Sequence, residues 1–141
     1  MNGTGLTLDE RQAITDLLNR FYWLVDQGRA AEVADLFTAD AIITFGPGAP
    51  KPGTVSGADI RPSMVARQAM TNVTTRHLLS NIMMEKKADG SVAVYSLLTL
   101  FRSEDEVRSP PPRTVADVDE IVVYDQGEWR IARRLITPIF Y

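Results

Sequence analysis

The sequence predicts an α+β domain in which three helices, interrupted by one strand, precede four long strands. Two observations carry this. Between Thr7 and Met70 apolar residues recur mainly at three- and four-residue spacing, the period of a half-buried helix. From Val73 onward, β-branched and apolar runs are separated by turn signals at Asp89-Gly90 and Asp125-Gln126-Gly127, the pattern of hairpin-linked strands. Helices set to one side of a largely antiparallel sheet follow from that order.

Thr7-Leu8-Asp9-Glu10 opens the first helix as a capping box, Thr7 satisfying a free N–H and Glu10 reaching back. Ile14, Leu17, Leu18, Phe21, Tyr22 and Val25 form its apolar stripe, and Asp26 ends it just before Gly28. A second helix is expected over Ala30 to Phe37, then a turn at Thr38-Ala39-Asp40 and a strand over Ala41 to Phe45. Proline and glycine make Gly46 to Gly53 a loop, read either as the mouth of a pocket or as a plain connector. Ser56-Gly57-Ala58-Asp59 introduces a third helix, with Ile60, Met64, Val65 and Met70 expected inward and Pro62 in its first turn. The strands follow over Thr75 to Glu85, Ser91 to Arg102, Thr114 to Tyr124 and Glu128 to Ile136. Glu104 to Arg113 reads as an exposed connection, and Thr137 to Tyr141 as an apolar tail packed on the domain.

The totals narrow the function classes. A chain of 141 residues, 45% apolar, suits one domain over residues 1–141 with a single core. Fifteen basic and eighteen acidic residues give a net charge of −3, which offers no basic face for nucleic acid. No run reaches the roughly 18 apolar residues of a membrane span, and Met1 to Gly5 carries no signal-peptide pattern. With no cysteine and one histidine, neither disulfides nor a metal centre is expected, and no glycine-rich phosphate loop follows a strand. The expectation is a cytoplasmic protein without a cofactor.

His77, the single histidine, lies on an expected strand and is the one side chain that ordinarily titrates near neutrality. It reads as a base or as a hydrogen-bonded structural residue. Asp26 faces the negative end of its helix dipole, and a solvated helix-end aspartate is its plain alternative. Asp117, Asp119 and Glu120 stand out as acids within an otherwise apolar β segment.

The element order, together with Tyr22-Trp23-Leu24-Val25-Asp26, Asp35 to Ala41, Thr75-Arg76-His77 and Gly127-Glu128-Trp129-Arg130-Ile131, resembles the SnoaL-like branch of the nuclear-transport-factor-2-like superfamily. That branch includes scytalone dehydratase and a hexachlorocyclohexane dehydrochlorinase. The resemblance implies a cone, in which a curved mixed sheet wraps the helices and encloses an apolar cavity. It implies a dyad of Asp26 and His77, with Arg134 as an electrostatic stabiliser that a one-residue slip would exchange for Arg133. Tyr22, Trp23 and Phe45 would line the cavity, and Asp117 would be a further acid, its alternative being a solvated strand position. Phe21, Val25 and Phe45 stand where those relatives carry a lysine and two tyrosines, so shared chemistry is implied rather than a shared substrate. A homodimer or homotrimer, acting on a small hydrophobic substrate, is implied too.

A carboxylate bonded to one imidazole nitrogen fixes the tautomer, leaves the other nitrogen as a base, and stabilises the cation formed on protonation. This suits removal of a proton beside a carbonyl or leaving group, as in a cofactor-independent dehydratase-like lyase or an isomerase. The non-enzymatic alternative is a structural subunit or small-molecule binding module, like the β subunit of ring-hydroxylating dioxygenases.

Overall fold

Thr7 caps the first helix as its sequence dictates. Its hydroxyl accepts from the Glu10 N–H at 3.0 Å and its own N–H donates to the Glu10 carboxylate at 3.0 Å. The computed structural model describes residues 5–104 and 112–141, so the first four residues and most of the expected connection between Glu104 and Arg113 lie outside the described residues. Helix α1 spans Leu8–Asp26 and buries Leu24 together with the whole expected stripe. It stops where Gly28, at φ +78°, turns the chain back and Arg29 N–H donates to Leu24 C=O at 2.8 Å. Asp26 is thereby fixed as the last helical residue.

The segment after it is a 3-10 helix, Ala30–Leu36, and Phe37 already belongs to strand β1, Phe37–Phe45. Thr38 to Asp40, expected as a turn, instead form an irregularity within β1, between the pairs Phe37–Ile131 and Ile42–Arg133. A short strand β2, Gly53–Ser56, pairs with β1 along its other edge. Helix α2, Ile60–Gln68, buries Ile60 and half-buries Met64, but Val65 and Met70 are exposed. The inward expectation thus holds for Ile60 and Met64 and is corrected for Val65, since a helix this short presents one narrow face, and for Met70, which lies past the helix end.

Strands β3 (Val73–Lys86), β4 (Val92–Glu104), β5 (Pro112–Asp125) and β6 (Glu128–Phe140) complete a six-stranded sheet in the order β2-β1-β6-β5-β4-β3. Only β1 and β6 run parallel, so the sheet is mixed. The apolar tail is the end of β6. Strand β6 covers the length of β5, with Val115 opposite Phe140.

Alternation decides which side chains meet α1. Met84, Val94, Glu120, Arg134 and Ile43 form one buried row across five strands. In β3 the alternation changes at Asn81, whose φ of +55° accompanies a register shift between Ser80 and Met83. Before that bulge Thr75, His77 and Leu79 face the core; after it Ile82 and Met84 do. The bulge lets His77 and Met84, an odd and an even residue, share one face.

Candidate active site

The end of α1 and the first half of β3 bring Asp26 and His77 together. His77 Nδ1 lies 2.6 Å from Asp26 Oδ1, and the backbone N–H of His77 donates to Oδ2 at 2.8 Å. Thr75, two residues back on the same strand face, donates its hydroxyl to Oδ1 at 2.8 Å. That hydroxyl in turn accepts from Arg67 Nη2, on α2, at 3.1 Å. The Asp26 and His77 side chains are 7% and 14% exposed, so these contacts work with little competition from water.

Burial alone would raise the Asp26 pKa, but the bonds from the His77 ring, the His77 N–H and Thr75 outweigh it and hold the carboxyl below its ordinary value. An ionised carboxylate only accepts, so Nδ1 carries the imidazole proton and Nε2 presents its lone pair. Nε2 makes no hydrogen bond to a described residue. Arg76 closes the end of α1, donating to the Asp26 and Thr75 carbonyls at 3.2 and 2.6 Å, and its cation offsets the dipole beside Asp26.

Tyr22, one turn before Asp26 on α1, stacks on the His77 ring with centroids 5.2 Å apart and planes 23° apart. Its hydroxyl accepts from Arg134 Nη2 at 2.7 Å, and Arg134 Nη1 donates to Glu120 Oε2 at 2.7 Å. The guanidinium also lies over the Phe21 ring, 4.3 Å from its centroid. Burial opposes the Arg134 charge, but Tyr22 and Glu120 more than compensate and raise its pKa. Burial, chiefly, raises that of Tyr22. Tyr22 therefore keeps its proton and Arg134 its charge. Three buried polar atoms, Ser96 Oγ, Glu120 Oε1 and Arg134 Nε, have no partner among the described residues.

Of the residues expected at the site, the structure gathers His77, Asp26 and Tyr22, and brings in Arg134 through Tyr22. The register sets Arg134, not Arg133, on the core face, opposite Glu120. Phe45 lies on that face and is half-buried against the core, beside Ile136. Trp23 departs from expectation: it is 52% exposed on another side of α1, beneath Arg29. Asp117 also departs, because strand alternation turns it to the opposite face, where Tyr95 donates to it at 2.9 Å. The β5 acid that faces inward is Glu120. A groove of about 960 Å³, lined by Thr44, Met83, Tyr95, Asp119 and Leu135 among others, also lies on that opposite face and contains neither Asp26 nor His77. The sequence does not single out Thr75, Arg67 or Glu120 as site residues, although Thr75 is legible as the same-face neighbour of His77 two residues away. Among the described residues no cluster of three histidine, aspartate or glutamate side chains forms a metal site, and no helix is long and apolar enough to cross a membrane.

A model of the SnoaL-like domain family matches residues 6–135. A search of curated proteins gives no match. Among solved structures, a putative scytalone dehydratase from Novosphingobium aromaticivorans is 21% identical with a TM-score of 0.80, over 94% of this chain and 86% of its own. ActVI-ORFA from Streptomyces coelicolor is 18% identical with a TM-score of 0.78, over 92% and 96% of the two chains. A protein from Catenulispora acidiphila, in complex with S-DNPA, is 17% identical with a TM-score of 0.77, over 94% and 95%. At these identities the likeness is one of fold, that of the nuclear-transport-factor-2-like cone.

Proposed function

The chain belongs to the SnoaL-like domain family, and from that premise we propose that it is a cofactor-independent lyase or isomerase of the dehydratase or cyclase kind. Its substrate is a small cyclic or aromatic molecule. The observation that supports this most is the 2.6 Å contact of His77 Nδ1 with Asp26, which leaves Nε2 without a hydrogen bond to any described residue. Nε2 takes a proton from carbon beside a carbonyl or leaving group. The C–H electron pair then enters an enolate or a new C=C bond, expelling the leaving group in the second case. Asp26 holds the tautomer beforehand and stabilises the imidazolium afterwards. Tyr22 supports one face of the ring, and Arg134 positions Tyr22 rather than meeting the substrate with a free charge. An apolar cavity beside Nε2, which keeps water from the developing charge, belongs to the same reading, as does assembly of two or three copies.

Proton abstraction is tested without knowing the leaving group. In D2O, 1-tetralone and 4-chromanone serve as probes, and NMR follows deuterium entry at the carbon beside the carbonyl. The wild-type protein accelerates entry, and His77→Gln lowers the rate by about 10²- to 10⁴-fold, the usual worth of a positioned base. Equal rates for the two proteins with both ketones would instead favour a structural or binding subunit.

A further inference from the structure

Charge is unevenly matched around the pair. Arg134, deep in the core, is bonded to Glu120. The Arg67 guanidinium, on α2 beside Thr75, has the Thr75 hydroxyl as its one hydrogen-bond partner and forms no ion pair among the described residues. Arg102 sits directly opposite Thr75 in the β3–β4 register and so shares its face of the sheet. Its side chain is 30% exposed, and its contact with Glu104 is long, 3.6 Å, to a carboxylate that is 60% exposed. An ion pair of that kind contributes little.

The two guanidiniums are near enough to repel. Burial, and after it the charge of Arg102, lowers the Arg67 pKa, against the weaker pull of Asp26. Two described acids belong to this face: Asp26, whose oxygens already accept from the His77 ring, the His77 N–H and Thr75, and Glu104, which reaches Arg102 only through the long contact from an exposed position. Among the described residues Arg67 thus has no ion pair and Arg102 a weak one, so a carboxylate reaching both guanidiniums gains charge-assisted hydrogen bonds that neither has in full.

We propose that Arg67 and Arg102 form a carboxylate-binding site that holds one end of the molecule on which His77 acts. A carboxylate matches the planar fork of each guanidinium, and two such donors fix its orientation as well as its position. Thr75 and His77 are separated by two strand residues, roughly 7 Å. A carboxylate bound beside Thr75 therefore places one fused or single six-membered ring toward His77 and Leu100. Leu100 is the cross-strand partner of His77, and Leu79 follows it on the same face. The assignment of the carboxylate to a substrate rests on the lyase or isomerase reading; the anion site itself does not.

Calorimetric titration at low salt with naphthalene-2-acetate and its neutral isostere naphthalene-2-acetamide tests the site. The wild-type protein binds the acetate about tenfold or more tightly than the amide. Arg67→Gln keeps a donor for Thr75 and Arg102→Gln touches neither Asp26 nor His77. Each lowers the preference, and the double variant brings the two probes within about twofold, with unchanged circular dichroism. Equal binding of acetate and amide, failure of the acetate to bind at millimolar concentration, or a preference that survives the double variant overturns the proposal. Deuterium exchange by the wild-type protein, measured alongside the titration, separates the two readings. A preference retained in a protein that never exchanges deuterium upholds the anion site and removes the lyase, while exchange without any preference does the reverse.

Discussion

His77 offers Asp26 two donors at once, its ring Nδ1 at 2.6 Å from Oδ1 and its backbone N–H at 2.8 Å from Oδ2. Both carboxylate oxygens are thus engaged by one residue, so the acid cannot rotate without breaking a bond to the strand that carries the base. In Asp26→Asn one oxygen becomes an NH2 group. That group must then face either the backbone N–H or Nδ1. If it faces Nδ1, the ring is driven to the tautomer whose proton sits on Nε2, where the base needs a lone pair. Deuterium exchange into 1-tetralone should fall about 10²- to 10⁴-fold, with little change in the fold. A variant keeping more than about a tenth of the wild-type rate would remove Asp26 from the mechanism.

The same bonds make stability depend on acid. The Asp26 carboxyl is opposed by burial, but its hydrogen bonds take it below the ordinary aspartate value of 3.8. The unfolded chain therefore takes up this proton first as the pH drops. The stabilisation is complete above the unfolded value and is lost as the pH falls from there through the lowered folded value. Urea unfolding of the wild type and of Asp26→Asn at a series of pH values should give a gap that shrinks as the pH falls below about 4. A gap that stays constant down to about pH 2.5 would contradict this account.

The stripe of α1 and the β run make the places of Asp26 and His77 legible, at a helix end and on a strand. Their pairing is implied only by the resemblance, and the structure puts the two side chains 2.6 Å apart. The same reasoning failed for Trp23, since one residue beyond Tyr22 turns about 100° around α1 and leaves the stripe. Asp117 takes its alternative reading, a strand position on the face away from the core, where Tyr95 donates to it. The signal lay in β5 itself, where Ala116, Val118 and Val122 are fully buried and alternation makes Glu120 their companion. Arg133 and Arg134 could not be separated from sequence, because β6 shifts register against β5 between Ile121 and Val122, and the next pair, Ile121–Arg133, sets which arginine turns inward. Strand β2 escaped notice as four residues behind a proline-rich loop, too short for any period to register.

Tyr22 holds His77 by its ring and Arg134 by its hydroxyl, and two substitutions separate these roles. Tyr22→Phe keeps the stacked ring but leaves Arg134 Nη2 without that acceptor, beside the already unpartnered Nε. It should cost about 1–3 kcal/mol of stability by urea unfolding and leave exchange nearly unchanged. Tyr22→Leu also removes the stack, frees the imidazole plane, and should lower exchange by roughly tenfold or more. If Tyr22→Phe lowers exchange as far as Tyr22→Leu does, the hydroxyl takes part in the chemistry and the positioning role is wrong.

Glu120 and Arg134 face each other across β5 and β6, with side chains 0% and 2% exposed. Removing one partner strands the other's charge in the core. Arg134→Met, which keeps the volume, should therefore destabilise by about 3–5 kcal/mol, whereas Glu120→Leu combined with Arg134→Met should restore much of that loss because no charge remains unpaired. Arg133, one residue away and exposed on the other face, should tolerate Arg133→Gln within about 0.5 kcal/mol. Urea unfolding of the four proteins at pH 7 gives the comparison. A double variant no more stable than Arg134→Met would mean that the guanidinium is held by Tyr22 and the Phe21 ring rather than by its ion pair. An Arg133→Gln variant as unstable as Arg134→Met would reverse the assigned face of β6.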